Sequence, residues 1–295
     1  MNQYTDEYAE DYSENSLRSK NEFKTVINTG YTVEISETLS EGWKLVQQNM
    51  GSLIGFNVVS FLMVVFASIL LSFIPIVGGL VNTAFIGVVL AGYYSFFIQY
   101  HTQEFATFSD FFESFKDALQ LGVCALISTF MSYIPSLIVM ILIGIVVAIG
   151  IGTGLFSGFE DVMNGNVESI FRNGAMIFFI FIAVLLITIP VFIVYMFYTF
   201  APLIIMTHKK EFWPAMELSR KLIMKNLWGN AGLFFVLGII NFIGMIPLGL
   251  GLLVTIPLSY SSIFALYIKL LQRNGDSTDF ASNFYGDEKA PLDAI

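Results

Sequence analysis

The sequence predicts an all-α polytopic membrane protein with six transmembrane helices in three hairpins, each preceded by a cytoplasmic amphipathic interfacial helix. Three observations predict it. Of the 295 residues, 56% are hydrophobic and 13% charged, and the mean hydropathy is +0.73, about half the charge of an average soluble domain. No Asp, Glu, Lys, Arg or His interrupts residues 45–100, 122–159, 173–207 or 226–268. Finally, the chain repeats itself: His101-Thr-Gln-Glu104-Phe105 returns as His208-Lys-Lys-Glu211-Phe212, and Lys44-Leu-Val-Gln-Gln-Asn49 returns as Lys221-Leu-Ile-Met-Lys-Asn226. Units two or four crossings apart share one orientation, so these are parallel repeats, a plan some transporters use.

Residues 1–37 carry Asp6, Glu7, Glu10, Asp11, Glu14 and Glu22 among few aliphatic side chains. That is too little apolar surface to offset the entropy of ordering, and the segment reads as a disordered acidic tail. A six-helix domain is expected over residues 38–272. Its first interfacial helix follows from Leu39, Trp43, Val46 and Met50, spaced by three or four residues, with Ser40, Glu41, Lys44, Gln47 and Gln48 on the other face. Residues 51–73 are uncharged and long enough, at about 1.5 Å per residue, to cross a hydrocarbon core of roughly 30 Å. Pro75, Gly78 and Gly79 mark the turn, and residues 80–100 return.

The second unit opens with FSDFFESFKDALQL, in which Phe108, Phe111, Phe112, Phe115 and Leu119 oppose Asp110, Glu113, Lys116 and Asp117. Anionic headgroups repel a helix with that many acids, so this one is expected to pack on protein. Its apolar runs, 121–156 and 170–206, exceed the length of one span, and Pro135 and Pro190 are expected to kink or break them. The connection between them holds Glu160, Asp161, Glu168 and Arg172. The third unit, 208–271, gathers Lys209, Lys210, Arg220, Lys221 and Lys225 at its front edge beside Trp213, which favours lipid headgroups. Residues 273–295 read as a disordered C-terminal tail.

Of the fourteen Lys and Arg residues, all but Arg172 fall on one side of a six-crossing topology. By the positive-inside rule that side is the cytoplasm, with both termini in it. Trp43, Trp213 and Trp228 belong to the same interface. The net charge of -9 is concentrated in tails and loops, so it reads as solvated acidity rather than as the mark of a basic partner, and no nucleic-acid partner is expected. The single cysteine, Cys124, excludes an intramolecular disulfide and a cysteine metal cluster, and reads as a small apolar residue in a span. Residues 1–20 hold no apolar run of signal-peptide length, so an uncleaved N-terminus is expected.

No catalytic residue is predicted, because neither a P-loop nor a Ser-His-Asp order is present. Gly150-Ile-Gly152-Thr-Gly154 lacks the strand and helix that a dinucleotide fingerprint needs, and no cofactor is read from it. His101, Glu104, His208 and Glu211 are a candidate metal set, since two imidazoles and two carboxylates suit a first-row ion. The plainer reading is a polar turn duplicated with the unit. Tyr133, Tyr195 and Tyr198, beside Pro135 and Pro190, are a candidate polar cavity, against the plainer reading of hydroxyls bonded within the bundle. Trp43, Phe111, Phe115, Trp213, Arg220 and Lys221 are the candidate interfacial residues. The expected partners are the lipid bilayer and either a membrane protein or a second copy of the chain.

Several segments carry a family resemblance: Glu41-Gly-Trp-Lys-Leu-Val-Gln-Gln-Asn49, the Ile74–Gly79 turn, FSDFFESF, IPVFIVYMFYTFAPLIIM at 189–206, MELSRKL and GLGLLVTIPLSY at 249–260. Together they resemble a family of uncharacterised bacterial six-helix integral membrane proteins. That family is similar to the membrane domain attached to some glycerophosphoryl diester phosphodiesterases. The resemblance covers about residues 30–271 and implies a bacterial inner membrane. It carries over no catalytic residue, because the soluble phosphodiesterase region has no counterpart here. Three functions stay open from sequence: a non-enzymatic scaffold or accessory component, a transporter or lipid-handling protein with a cavity between kinked helices, and a metal-dependent membrane enzyme.

Overall fold

The computed structural model describes Phe23 and residues 26–74, 76–152, 164–165 and 174–272, and all regular structure among them is helical. The expectations for the acidic tail before Phe23, Pro75, the loop groups Glu160, Asp161, Glu168 and Arg172, and the tail at 273–295 concern residues outside that set. In chain order the elements are α1 (Ile35–Gln48), α2 (Met50–Leu71), α3 (Val77–Gln103), a 3-10 helix (Phe108–Asp117), α4 (Ala118–Gly152), α5 (Gly174–Phe197), α6 (Ala201–His208), α7 (Phe212–Lys225), α8 (Leu227–Met245) and α9 (Leu252–Gln272). Six segments are long and apolar enough to cross a membrane: Met50–Leu71, Val77–Gln103, Phe108–Gly150, Ile177–His208, Leu227–Met245 and Leu252–Gln272. A multi-pass membrane protein is the class this defines.

The chain divides into two compact units. One comprises Met1–Leu126 with Met196–Ile295, and the other is Ile127–Tyr195. The first holds the core. In α1, Thr38, Gly42 and Val46 recur every four residues and are buried, while Glu37, Lys44, Gln47 and Gln48 are exposed. That buried row lies along α9, antiparallel to it: Glu37 pairs with Lys269, and Gly42 meets Ser262. A Cβ on Gly42 would stand 2.8 Å from the Ser262 Cα, so the absence of a side chain is what lets the two backbones approach.

Residues 91–98 of α3 are buried without a break. Against them lies the 3-10 helix, whose Phe111 ring is stacked between Phe56 at 4.1 Å and Phe96 at 4.3 Å and is fully enclosed. Each phenyl buried this way contributes roughly 1.5–3 kcal/mol. Sequence periodicity predicted an α-helix here, with Phe111 and Phe115 on one face. With about three residues per turn the rows shift, so the buried pair is Phe111 and Ser114, and Phe115 is 38% exposed. Thr107 and Asp110 close a capping box at its start, which fixes the tight first turn.

The folded region also begins earlier than position 38. Phe23, Val26 and Tyr31 are buried, Phe23 with its ring 5.3 Å from that of His208. A few well-placed apolar side chains tie this segment to the core, which a composition average over 1–37 does not reveal.

Neither Pro135 nor Pro190 breaks its helix, since α4 and α5 run through them. Next to Pro135, Ser132 and Ser136 donate to carbonyls four residues back, at 2.8 and 2.9 Å, which keeps their polar groups satisfied within the helix. The break comes instead at residues 198–200, just ahead of Pro202. Pro202 has no N–H and its ring crowds the carbonyl four residues back, and the chain tightens into short bonds from Thr199 to Met196 and from Ala201 to Tyr198. In the unit Ile127–Tyr195, helix is joined to helix by Ser136 Oγ, 3.4 Å from the Ile187 carbonyl, and most large apolar side chains are exposed, Ile138 and Phe178 among them. Side chains of this kind turn outward when the surrounding medium is itself apolar.

Candidate functional site

Both copies of the Lys-to-Asn repeat end at a helix corner. Asn49 stands between α1 and α2 and Asn226 between α7 and α8, each outside helical φ/ψ. The two asparagines differ in what they bond. Asn49 Nδ2 donates to the Leu45 carbonyl behind it. Asn226 caps α8, accepting from the Gly229 amide at 3.0 Å, and donates to the Tyr31 carbonyl at 2.9 Å. Asn230 Nδ2 donates to the Tyr31 hydroxyl at 2.7 Å. Tyr31 is thereby enclosed, and burial pushes its phenol up to about 12, against the smaller opposing effect of the Asn230 donor.

Ser219, on the inner face of α7, fits the break at residues 198–200. Its hydroxyl donates to the Phe197 carbonyl at 2.7 Å and accepts from the Phe200 amide at 3.1 Å, and it is wholly buried. It supplies the acceptor and the donor that the interrupted helix lost. Nothing in the residue pattern marked Ser219, because its partners are backbone groups about twenty positions away.

The outer face of α7 carries the basic residues. Arg220 forks onto Glu217, Nε to Oε2 at 2.9 Å and Nη2 to Oε1 at 2.8 Å, and Lys221 reaches the same carboxylate at 3.3 Å. The Arg220 bonds hold the Glu217 carboxyl below its usual range, and the same bonds raise Arg220. Within α7 the one acid, Glu217, is outnumbered by Arg220, Lys221 and Lys225. Trp213 and, at the start of α8, Trp228 are 56% and 86% exposed; Trp43 on α1 is 37% exposed. All three tryptophans present their rings outward.

The four proposed metal residues lie at the end of α3, the end of α6 and the start of α7. Among the described residues no group of three or more His, Cys, Asp or Glu is placed to hold a metal ion. His208 is engaged elsewhere, with Nδ1 2.7 Å from Thr207 Oγ1 and 3.3 Å from the Tyr267 hydroxyl. Thr207 Oγ1 also lies 2.7 Å from the Leu203 carbonyl and 2.9 Å from the Tyr267 hydroxyl, so His208 is part of a local hydroxyl network. His101 lies against Phe264 at 6.0 Å between ring centres. Glu104 is the left-handed cap of α3, and Glu211 is the extended residue that opens α7. The duplicated motif therefore marks two helix ends. It does not repeat in detail, because the left-handed residue after α6 is Lys209, paired with Asp117 at 2.9 Å.

Of the candidate cavity residues, Tyr133 and Tyr195 belong to the unit Ile127–Tyr195 and are 63% and 54% exposed, while Tyr198 sits at the helix break in the other unit. Set beside known protein families, curated proteins and solved structures, the chain matches none.

Proposed function

We propose that this chain is a non-enzymatic scaffold or accessory component of the bacterial inner membrane. Both termini lie in the cytoplasm, and short amphipathic helices at that surface engage anionic headgroups and a partner protein. The observation that carries this reading is α7. Its Ala215, Met216, Ser219, Leu222 and Ile223 are buried, whereas Lys221 and Lys225 are exposed beside Arg220 and Trp213. Bases flanked by exposed indole rings suit a headgroup layer, where each Lys or Arg near an anionic surface adds about 1 kcal/mol. The family resemblance supports the membrane assignment, and the bias of Lys and Arg toward one side supports the orientation.

The test is lipid retention. The full-length protein, extracted from native membranes in mild detergent, is expected to retain anionic phospholipid that the combined Arg220→Glu, Lys221→Glu and Lys225→Glu variant loses severalfold. Equal retention at unchanged thermal stability would remove α7 as the headgroup contact. Cross-linking in native membranes addresses the other half: a carrier yields lipid or a small molecule with no stoichiometric protein, and that outcome would replace the scaffold reading.

A further inference from the structure

We propose that α8 and α9 form a re-entrant pair, which dips into the acyl chains of the leaflet nearest α1 and turns back near the bilayer midplane. The proposal rests on the membrane reading above. It departs from what length and composition allow, since both helices are long enough to cross.

Two independent contacts within one compact unit set the depth. The first is between α1 and α9. Glu37, Lys44, Gln47 and Gln48 of α1 are exposed, and charged side chains are excluded from the hydrocarbon core. The stretch of α9 that α1 accompanies, from Ser262 to Lys269, therefore lies at a level where charge is solvated. What remains of α9, from Leu252 to Ser261, spans about 15 Å, half of a core of roughly 30 Å.

The second contact is between α2 and the start of α9. Asn57 Nδ2 donates to the Leu252 carbonyl at 3.1 Å. Asn57 is eight residues past the Asn49 corner, about 12 Å along a helix whose 22 residues extend about 33 Å. If α2 begins at the interface, the first turn of α9 stands in the near half of the membrane. The reverse assignment, with the α8–α9 turn at the far surface, would push the rest of α2 into water. Phe61, Phe66 and Ile69 are all more than half exposed there, and such an apolar surface does not face water.

The turn itself matches an acyl occupant. Residues 245–251 read MIPLGLG, without a polar side chain. Met245, Ile246, Leu248 and Leu250 are exposed, Leu248 to 97%. The backbone is nonetheless closed by local bonds, Gly249 to Met245 at 2.9 Å, Leu250 to Pro247 at 3.0 Å and Leu252 to Gly249 at 3.0 Å, as burial in lipid requires. Gly244 and Gly251 touch backbone to backbone, an added Cβ on Gly251 lying 2.6 Å from the Gly244 Cα, which keeps the turn narrow.

The experiment uses the full-length chain with Cys124→Ala and either Leu248→Cys or Leu250→Cys. Both side chains are exposed, so neither change disturbs the core. In intact cells a membrane-impermeant maleimide is expected to leave both unlabelled. After reconstitution, an environment-sensitive fluorophore on the same cysteine is expected to be quenched at least twofold more by a phosphatidylcholine carrying its nitroxide deep in the acyl chain than by one carrying it near the headgroup. Labelling from outside, or preferential quenching by the shallow nitroxide, would overturn the proposal while leaving the membrane reading intact. Quenching by neither lipid would overturn both.

Discussion

Ser219 shows how much rests on one hydroxyl. Removing it leaves the Phe197 carbonyl and the Phe200 amide buried without their partner, at a cost of about 1–3 kcal/mol for each unsatisfied group. Ser219→Ala is therefore expected to lower the thermal midpoint in detergent by several degrees. An unchanged midpoint would mean that the break at 198–200 finds another partner. Tyr31 gives a pH signature. Its phenol titrates near 10 when unfolded and near 12 when folded, so above pH 10 the unfolded chain loses protons first. The stability linked to Tyr31 is whole below pH 10 and falls as pH rises toward 12, by about 3 kcal/mol over that window. Subtracting the alkaline profile of Tyr31→Phe, which keeps the ring and cannot ionise, should expose that drop. Parallel profiles would contradict the buried phenol.

Among the elements, the 3-10 helix separates two phenylalanines that sequence spacing put together. Phe111 is enclosed between two stacked rings, and Phe115 is partly open. Phe111→Ala is expected to cost about 3–5 kcal/mol, the range for a fully buried phenylalanine, and Phe115→Ala less than half of that. Denaturation of each variant in the same detergent measures the ratio. Equal costs would return the segment to α-helical spacing. The Asn49 and Asn226 corners work at the same scale: each ends one helix and starts the next within a single residue, so the polar outer faces of α1 and α7 can part direction from the apolar helices that follow.

For the whole molecule, the bias of Lys and Arg to one side sets the expected orientation. In the Cys124→Ala background, a cysteine at Asn164, in the turn between α4 and α5, is expected to react with an impermeant maleimide in intact cells. One at Lys225, exposed on α7, should react only after lysis. The opposite pattern would invert the orientation, and labelling of both would contradict a single fixed topology. That pair of sites reads orientation independently of depth at Leu248, so the two questions separate.

By itself the sequence determined the class and most of the elements. Runs of apolar residues without charge must avoid water whatever their neighbours, so the six long helices were legible from length and hydropathy. Only the tertiary structure decided which polar groups complete one another. Ser219 meets a helix break, Asn230 meets Tyr31, and Asn57 meets the start of α9, each across a chain separation that carries no periodic signal. It also showed that both histidine–glutamate motifs mark helix ends, with His208 beside Thr207 and Tyr267 and His101 against Phe264. The docking of Phe23, Val26 and Tyr31 was hidden for a related reason: a few side chains that find complementary surface outweigh the average composition of the segment carrying them. Helical or apolar character is a local property summed along the chain, whereas a hydrogen bond in a low-dielectric interior depends on where the partner's backbone has been brought, and that is fixed by packing.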